Sequence, residues 1–248
     1  MPIRFAAGLL MLLFSAAFSQ EATQTVPRAY KLQFENEWVR VIRAHYEPRE
    51  KLPAHAHTKW PCVYVYLNDN GPIIFRHKDW DHPELTRPAT KAGSFRVSPT
   101  KAVNEIHEVD NPNDTPSDFL RVEFKTEPVG RNSLRGRFYR EAYPTNENYR
   151  KIQFENEQLR VTRLACAPRK SLEVAASSSE PALFVSLSAG RARIKAAANE
   201  IALGLGQTIW TPIGQQERFE NLGEAPLEFL RLDLKTAPVE PKEKKSGK

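Results

Sequence analysis

The chain has 248 residues, 27% of them charged and 40% hydrophobic, the balance of an ordinary soluble globular protein with room for two domains of about 100 residues each. Its net charge of +6 draws on Arg4 and on the terminal KEKKSGK, and elsewhere Lys and Arg alternate with Glu and Asp. No basic stripe interleaved with aromatics is present, which excludes a nucleic-acid groove.

Residues 1–19 are expected to be a signal peptide. Arg4 precedes the apolar run Phe5–Phe14, and the small residues of SAAFS lead to Gln20. The run is shorter than the roughly 20 apolar residues of a membrane anchor, and neither cysteine lies near the cleavage point. The mature protein is expected to be exported, periplasmic or secreted, without a membrane anchor.

The remainder is one pattern written twice. KLQFENEWVRVIRAHYEP at Lys31–Pro48 returns as KIQFENEQLRVTRLACAP at Lys151–Pro168, and FLRVEFKTEPV from Phe119 returns as FLRLDLKTAPV from Phe229. The expected domains are therefore residues 30–130 and 150–240, joined by a linker at 131–149 and followed by a disordered tail at 241–248. In the first copy, Val39–Ala44, Val63–Leu67, Ile73–Arg76, Phe95–Ser98 and Leu120–Lys125 read as strands, separated by Pro/Asn/Asp/Gly turns. In the second, the strands are Leu159–Leu164, Leu183–Leu187, Ala192–Lys195, Thr208–Trp210 and Phe229–Lys235. Only Lys195–Leu203 admits a turn of helix. Many short strands at regular spacing predict an all-β sandwich or barrel. In the linker, Phe138, Tyr139 and Tyr143 are available to pack between domains.

A duplication supplies its own control: features kept in both copies serve the fold, and features kept in one serve function. All six histidines lie in the first half. His55 and His57, two apart on a strand, point the same way, and His107 follows further along. Three neutral imidazoles converging inside a barrel suit a divalent transition metal with open coordination positions. Aligned on the flanking repeats, the second copy has Ala175, Ser177 and Glu217 in their places.

These residues resemble the motifs of the cupin superfamily, over about residues 31–129 and 151–239. The first motif is carried by His55 and His57, and the second by Gly93, Pro99, His107 and Asn111. In the other copy the second motif is Gly206, Pro212, Gly214, Glu217 and Asn221, with glutamate in the histidine slot. The resemblance implies two tandem cupin-type (double-stranded β-helix, jelly-roll) barrels, the first with a three-histidine metal site and the second degenerate. The metal could be Fe, Mn, Ni, Cu or Zn. The first motif's usual glutamate is absent, its place taken by Pro61 and Cys62. A cysteine there resembles the three-histidine thiol dioxygenases, although Phe124 stands where the tyrosine linked to that cysteine would be.

Other candidates keep two readings. Cys62 is either a small buried hydrophobe or a group tuning the metal ligands. His45 is a pocket candidate, while Arg43, which returns as Arg163, belongs to the fold. Trp60 and Trp80 either line the barrel mouth or pack. His77 and His82 are expected in an exposed loop. A Cys62–Cys166 disulfide is left open, since it needs Cα atoms within about 7 Å. Functionally, the sequence supports a metal-dependent dioxygenase-like enzyme acting on a small molecule, or a non-catalytic small-molecule-binding or structural bicupin. Nothing obvious supplies a general base. The expected partners are a small-molecule ligand or substrate and a second copy of the chain in a homo-oligomer.

Overall fold

Alternating apolar and polar residues, broken by proline- and asparagine-rich turns, become strands along the whole chain. The structure, a computed structural model, describes residues 21–78, 81, 83–99, 105–130, 134–194 and 197–239. The expected signal peptide, Trp80, His82 and the tail at 241–248 lie outside the described residues. After a four-residue helix, Ala22–Thr25, the first copy contributes nine strands. They are β1 (Tyr30–Glu35), β2 (Val39–Tyr46), β3 (Lys51–His57), β4 (Cys62–Tyr66), β5 (Ile73–His77), β6 (Glu84–Arg87), β7 (Phe95–Ser98), β8 (Glu105–Asp110) and β9 (Ser117–Phe124). The connecting segment adds β10 (Gly136–Phe138). The second copy contributes β11 (Tyr149–Glu155), β12 (Leu159–Cys166), β13 (Ser171–Val174), β14 (Ala182–Ser186), β15 (Gly190–Ile194), β16 (Ala197–Leu203), β17 (Thr208–Thr211), β18 (Glu217–Asn221) and β19 (Leu227–Leu234).

Each copy folds into a large and a small antiparallel sheet. The large sheets run β1-β2-β9-β4-β7-β10 and β11-β12-β19-β14-β17; the small ones run β3-β8-β5-β6 and β13-β18-β15-β16. The segment 197–203, read as a possible turn of helix, is strand β16 instead. Its backbone pairs with β15, Arg191 opposite Ala202 and Ala192 opposite Ile201, and this pairing overrides the helical preference of its alanines.

The period of two in each central strand feeds two cores at once. On β2, Val39 and Val41 face one side, while Ile42, Ala44 and Tyr46 face the other. On β4, Val63 and Val65 part from Cys62, Tyr64 and Tyr66 in the same way. The second side is the interior of the first barrel. The first side is a core that the two large sheets share, in which Val41, Val63, Leu120 and Phe124 pack with Leu159, Leu183, Leu230 and Leu232. The barrels are thus joined back to back. Phe138 extends this core from the connecting segment, stacking on Phe95 at 4.7 Å and meeting Phe154 edge-on at 5.5 Å. Tyr143 stacks on Tyr149 at 5.0 Å, whereas Tyr139 is exposed and does not pack between the barrels.

Reciprocal polar contacts tie the halves further. Arg163 donates to the carbonyl of Gly93 at 2.5 Å, and Arg43 donates to that of Leu205 at 3.3 Å. Each also holds an acid of its own copy, Glu228 and Asp118, so this arginine serves the fold in both copies. Gly93 and Gly206 have φ of +75° and +77°. A Cβ on Gly206 would lie 2.6 Å from Leu67 Cδ1. Gly206→Ala is expected to cost about 1–3 kcal/mol, read as a lowered urea midpoint with unchanged slope. Asn111 and Asn221 are structural too: Asn111 donates to the carbonyls of Glu47 and Thr115, and Asn221 to those of Cys166 and Ala225. Both cysteines are free, Cys62 in the first barrel's interior and Cys166 in the second's.

Candidate metal centre and cavity

Three neighbouring strands of the first small sheet bring the imidazoles together. His107 on β8 lies opposite His55 on β3 and, on its other side, opposite His77 on β5. Two residues further along, His57 lies opposite Glu105. The period of two therefore places His55, His57, His77, Glu105 and His107 on one face, and all five are buried. The rings of His55, His57 and His107 lie 4.9–5.0 Å apart, centre to centre. Donor atoms of this trio lie within 4.8 Å of one another, and a second such group is His77, Glu105 and His107.

His77 corrects the expectation of an exposed loop. Strand β5 continues one residue past Arg76, so Ile73, Phe75 and His77 alternate inward with Ile74 and Arg76 between them. The ring of His77 lies 5.2 Å from that of His107, and its Nε2 lies 2.9 Å from Glu105 Oε1. Glu105 escaped the sequence reading because it lies two residues before His107 rather than in the first motif's glutamate position. Its Oε1 also lies 3.2 Å from His107 Nδ1. The signal was available: Glu105 shares strand parity with His107, and at equal offset the second copy has Gln215.

The other candidates lie elsewhere. His45 sits on the opposite face of β2 from the interior residues Ala44 and Tyr46, half-exposed beside Glu47 and Asp118. Trp60 is half-buried between β3 and β4 and is not part of the cavity wall. Cys62 is buried in the barrel core and also stands outside that wall.

The donor set fits a divalent metal. The carbonyl of Pro53 can only accept, so His55 donates to it through Nδ1 at 2.8 Å. This fixes the tautomer and leaves the Nε2 lone pair facing inward, the usual support of a metal-binding histidine. Tyr30 then donates to His55 Nε2 at 2.9 Å, and its hydroxyl lies 2.8 Å from that of Tyr46. Burial lowers the His55 pKa to about 4. Burial, with Arg121 second, holds His57 well below the ordinary imidazole value. Both rings are therefore neutral at pH 7.

These lowered values have a consequence for stability. A neutral buried imidazole favours the fold fully above the unfolded value of 6.5, and that advantage disappears as pH falls toward 4. His55 alone corresponds to about 3 kcal/mol over that window. Chelator-treated protein is expected to lose urea resistance steeply between pH 6.5 and 4, and His55→Leu to flatten that dependence.

A cavity of about 240 Å³ opens beside the cluster. His57, His77, His107 and Glu105 form one side, and Tyr46, Tyr64, Tyr66, Phe75 and Phe119 supply aromatic walls. Glu105 is the sole carboxylate among its described lining residues. The second copy contributes nothing to this wall; it packs against the outside of the large sheet and does not cap the site.

The second barrel has kept the frame and filled the interior. Where His55 pairs with His107, Val174 pairs with Glu217. The counterpart of His55 by register is thus Val174 rather than Ala175, because β3 carries a bulge between Leu52 and His55. Phe184, Phe219, Phe229 and Ile194 pack the space. Glu217 accepts from Thr211 and Gln215, and among the described residues no group of metal-ligating type forms there.

No protein-family model matches this sequence, and no curated protein does. Solved structures do. The chain is similar to AerE from Microcystis aeruginosa, with 12% identity over 83% of this chain and 97% of that one, at a TM-score of 0.56. It is similar to YhaK from Escherichia coli, with 15% identity over 89% and 98% and a TM-score of 0.54. A cupin 2 conserved barrel domain protein from Leptotrichia buccalis matches at 13% identity over 83% and 88%, with a TM-score of 0.51. At such identities the likeness shows the fold: two tandem cupin-type jelly-roll barrels.

Proposed function

We propose that the chain is an exported bicupin whose first barrel is a metalloenzyme of dioxygenase-like type acting on a small molecule. The observation that carries this reading is the meeting of three buried imidazoles, neutral in His55 and His57, with His57 and His107 on the wall of a cavity of about 240 Å³. The second barrel keeps the frame and lacks every one of them. His55, His57 and His107 would hold a divalent transition metal of the Fe, Mn, Ni, Cu or Zn series. When bound, that metal supplies open positions for a substrate oxygen and for O₂ and polarises what it holds.

The chain's own groups do the rest. Pro53 locks the His55 tautomer, and Glu105 bridges His77 and His107. As the carboxylate of the cavity wall, Glu105 is placed to take a proton from a bound hydroxyl, the base that the sequence did not reveal. The aromatic walls exclude bulk water. The leader at 1–19 supports export, and among the described residues no helix is long and apolar enough to cross a membrane. N-terminal sequencing of the protein recovered from the cell envelope fraction tests export; a chain still beginning at Met1 contradicts it.

One observation favours a second reading, a non-catalytic ligand-binding barrel. The hydroxyl of Tyr30, itself hydrogen-bonded to that of Tyr46, completes the hydrogen bonding of His55 without any metal. Oxygen uptake with small-molecule panels, before and after chelation, separates the two. Turnover that stops on chelation and returns with one metal supports the enzyme. Ligand binding that ignores chelation, with no uptake under any metal, supports the binder.

A further inference from the structure

Two arginines in the cavity wall have no acid to answer them. Arg87 is 6% exposed, and Arg96 sits across the strand pair from Tyr64. Among the described residues neither has a carboxylate oxygen within 4.0 Å. The Nε of each is buried without a hydrogen-bond partner. Arg87 uses one amino group on Ser117 Oγ at 3.0 Å and Asn70 Oδ1 at 3.3 Å, and burial without a counter-charge holds its pKa below the ordinary value. Their guanidinium planes lie against rings, Arg96 4.4 Å from Tyr64 and Arg87 5.2 Å from Tyr66 and 5.5 Å from Phe119.

The third buried arginine of the wall is different. Arg121 is fully engaged by Glu123 at 2.8 Å, Tyr64 at 3.1 Å and the Thr58 carbonyl at 3.1 Å. It returns in the second copy as Arg231, which holds Asp233 at 2.6 Å, so it belongs to the fold. Arg87 and Arg96 do not return. By strand register, Arg96 opposite Tyr64 becomes Ile209 opposite Phe184. Ile73 pairs with Arg87, and its counterpart Ala192 pairs with Ile201. Both isoleucines pack into the second barrel's apolar interior. The fold therefore does not demand a cation at either position. Burying one without a counter-ion is costly, so the first barrel keeps both cations for something that enters the cavity.

We propose that the cavity takes a small planar organic carboxylate, its carboxylate held by Arg87 and Arg96 and its body lying among Tyr64, Tyr66 and Phe119. This rests on the reading of the first barrel as the working site. Size agrees: a dry cavity of about 150 Å³ holds benzene, and about 240 Å³ admits a ring with a carboxylate. Guanidinium forks match a carboxylate geometrically. Arg137, which pairs with Arg96 and also lines the cavity, adds a further positive charge.

The test compares benzoate with benzamide, its neutral isostere, by calorimetry on wild-type protein, both metal-loaded and chelator-treated. Benzoate is expected to bind about tenfold or more tightly than benzamide in both forms, since charged hydrogen bonds at this level are worth a factor of about ten. Arg96→Ile, which copies the second barrel, and Arg96→Gln as a second variant, should remove that preference without lowering the thermal midpoint, bringing benzoate down to the affinity of benzamide. Equal affinities in wild type, no binding of either probe, or an unchanged preference in both variants would overturn the proposal. So would a preference seen only in metal-loaded protein. Metal content is read on the same samples, so absence of metal would fail the enzyme reading while leaving the anion result to stand or fall alone.

Discussion

His57→Ala is expected to lower metal retention more than tenfold, and His77→Ala to lower it far less. The two variants differ because the candidate groups share His107 alone, His55 and His57 completing one and His77 and Glu105 the other. His57 belongs to the three-imidazole set, in which the tautomer of His55 is locked by Pro53. His77 reaches the cluster through Glu105 and so supports His107 from outside, while Glu105 itself still reaches His107 Nδ1 when His77 is removed. Competition with a chromophoric chelator ranks the three proteins. Stronger loss in His77→Ala would place the metal in the His77–Glu105–His107 group, and equal losses would contradict a site confined to His55, His57 and His107. His57 is buried at 4% exposure, and its removal also relieves a neutral imidazole from burial. Folding of each variant is checked by near-ultraviolet dichroism.

Phe124→Ala is expected to destabilise the whole molecule by about 3–5 kcal/mol, on the order of 10 °C in thermal midpoint. Phe124 has no exposed surface and lies in the core shared by the two large sheets. Because that core draws on both copies, the loss should appear in a single unfolding transition. Two separated transitions, only one of them shifted, would show that the barrels unfold independently. Phe219→Ala offers the contrast, since Phe219 packs with Phe184 and Phe229 inside the second barrel alone.

Much of this was legible in the chain itself. The duplication exposed the fold, since turn residues such as Gly93/Gly206 and caps such as Asn111/Asn221 recur where the backbone requires them. It also isolated His55, His57 and His107, because spacing by two on a strand is a local property. What stayed hidden depended on pairing between strands. His77 looked like loop because Arg-His-Lys-Asp is polar, yet its register opposite His107 carries it inside. Glu105 was passed over because the family pattern places an acid elsewhere, and sheet register, not motif spacing, sets it opposite His57. The bulge in β3 shifted the equivalence of His55 by one residue, which no equal-offset alignment shows. His45 and Trp60 do not line the first barrel's cavity: His45 lies on the face of β2 opposite Ala44 and Tyr46, and Trp60 lies between β3 and β4.

Metal content separates an enzyme from a ligand-binding barrel most directly. The measurement is mass spectrometry of the mature protein purified without a metal-affinity tag, with the His55→Ala/His57→Ala variant alongside. About one redox-active divalent metal per chain, absent from the variant, is the result predicted by the three-imidazole site. A wild-type protein that holds no metal even after reconstitution would contradict it, and would leave the first barrel as a ligand-binding cavity.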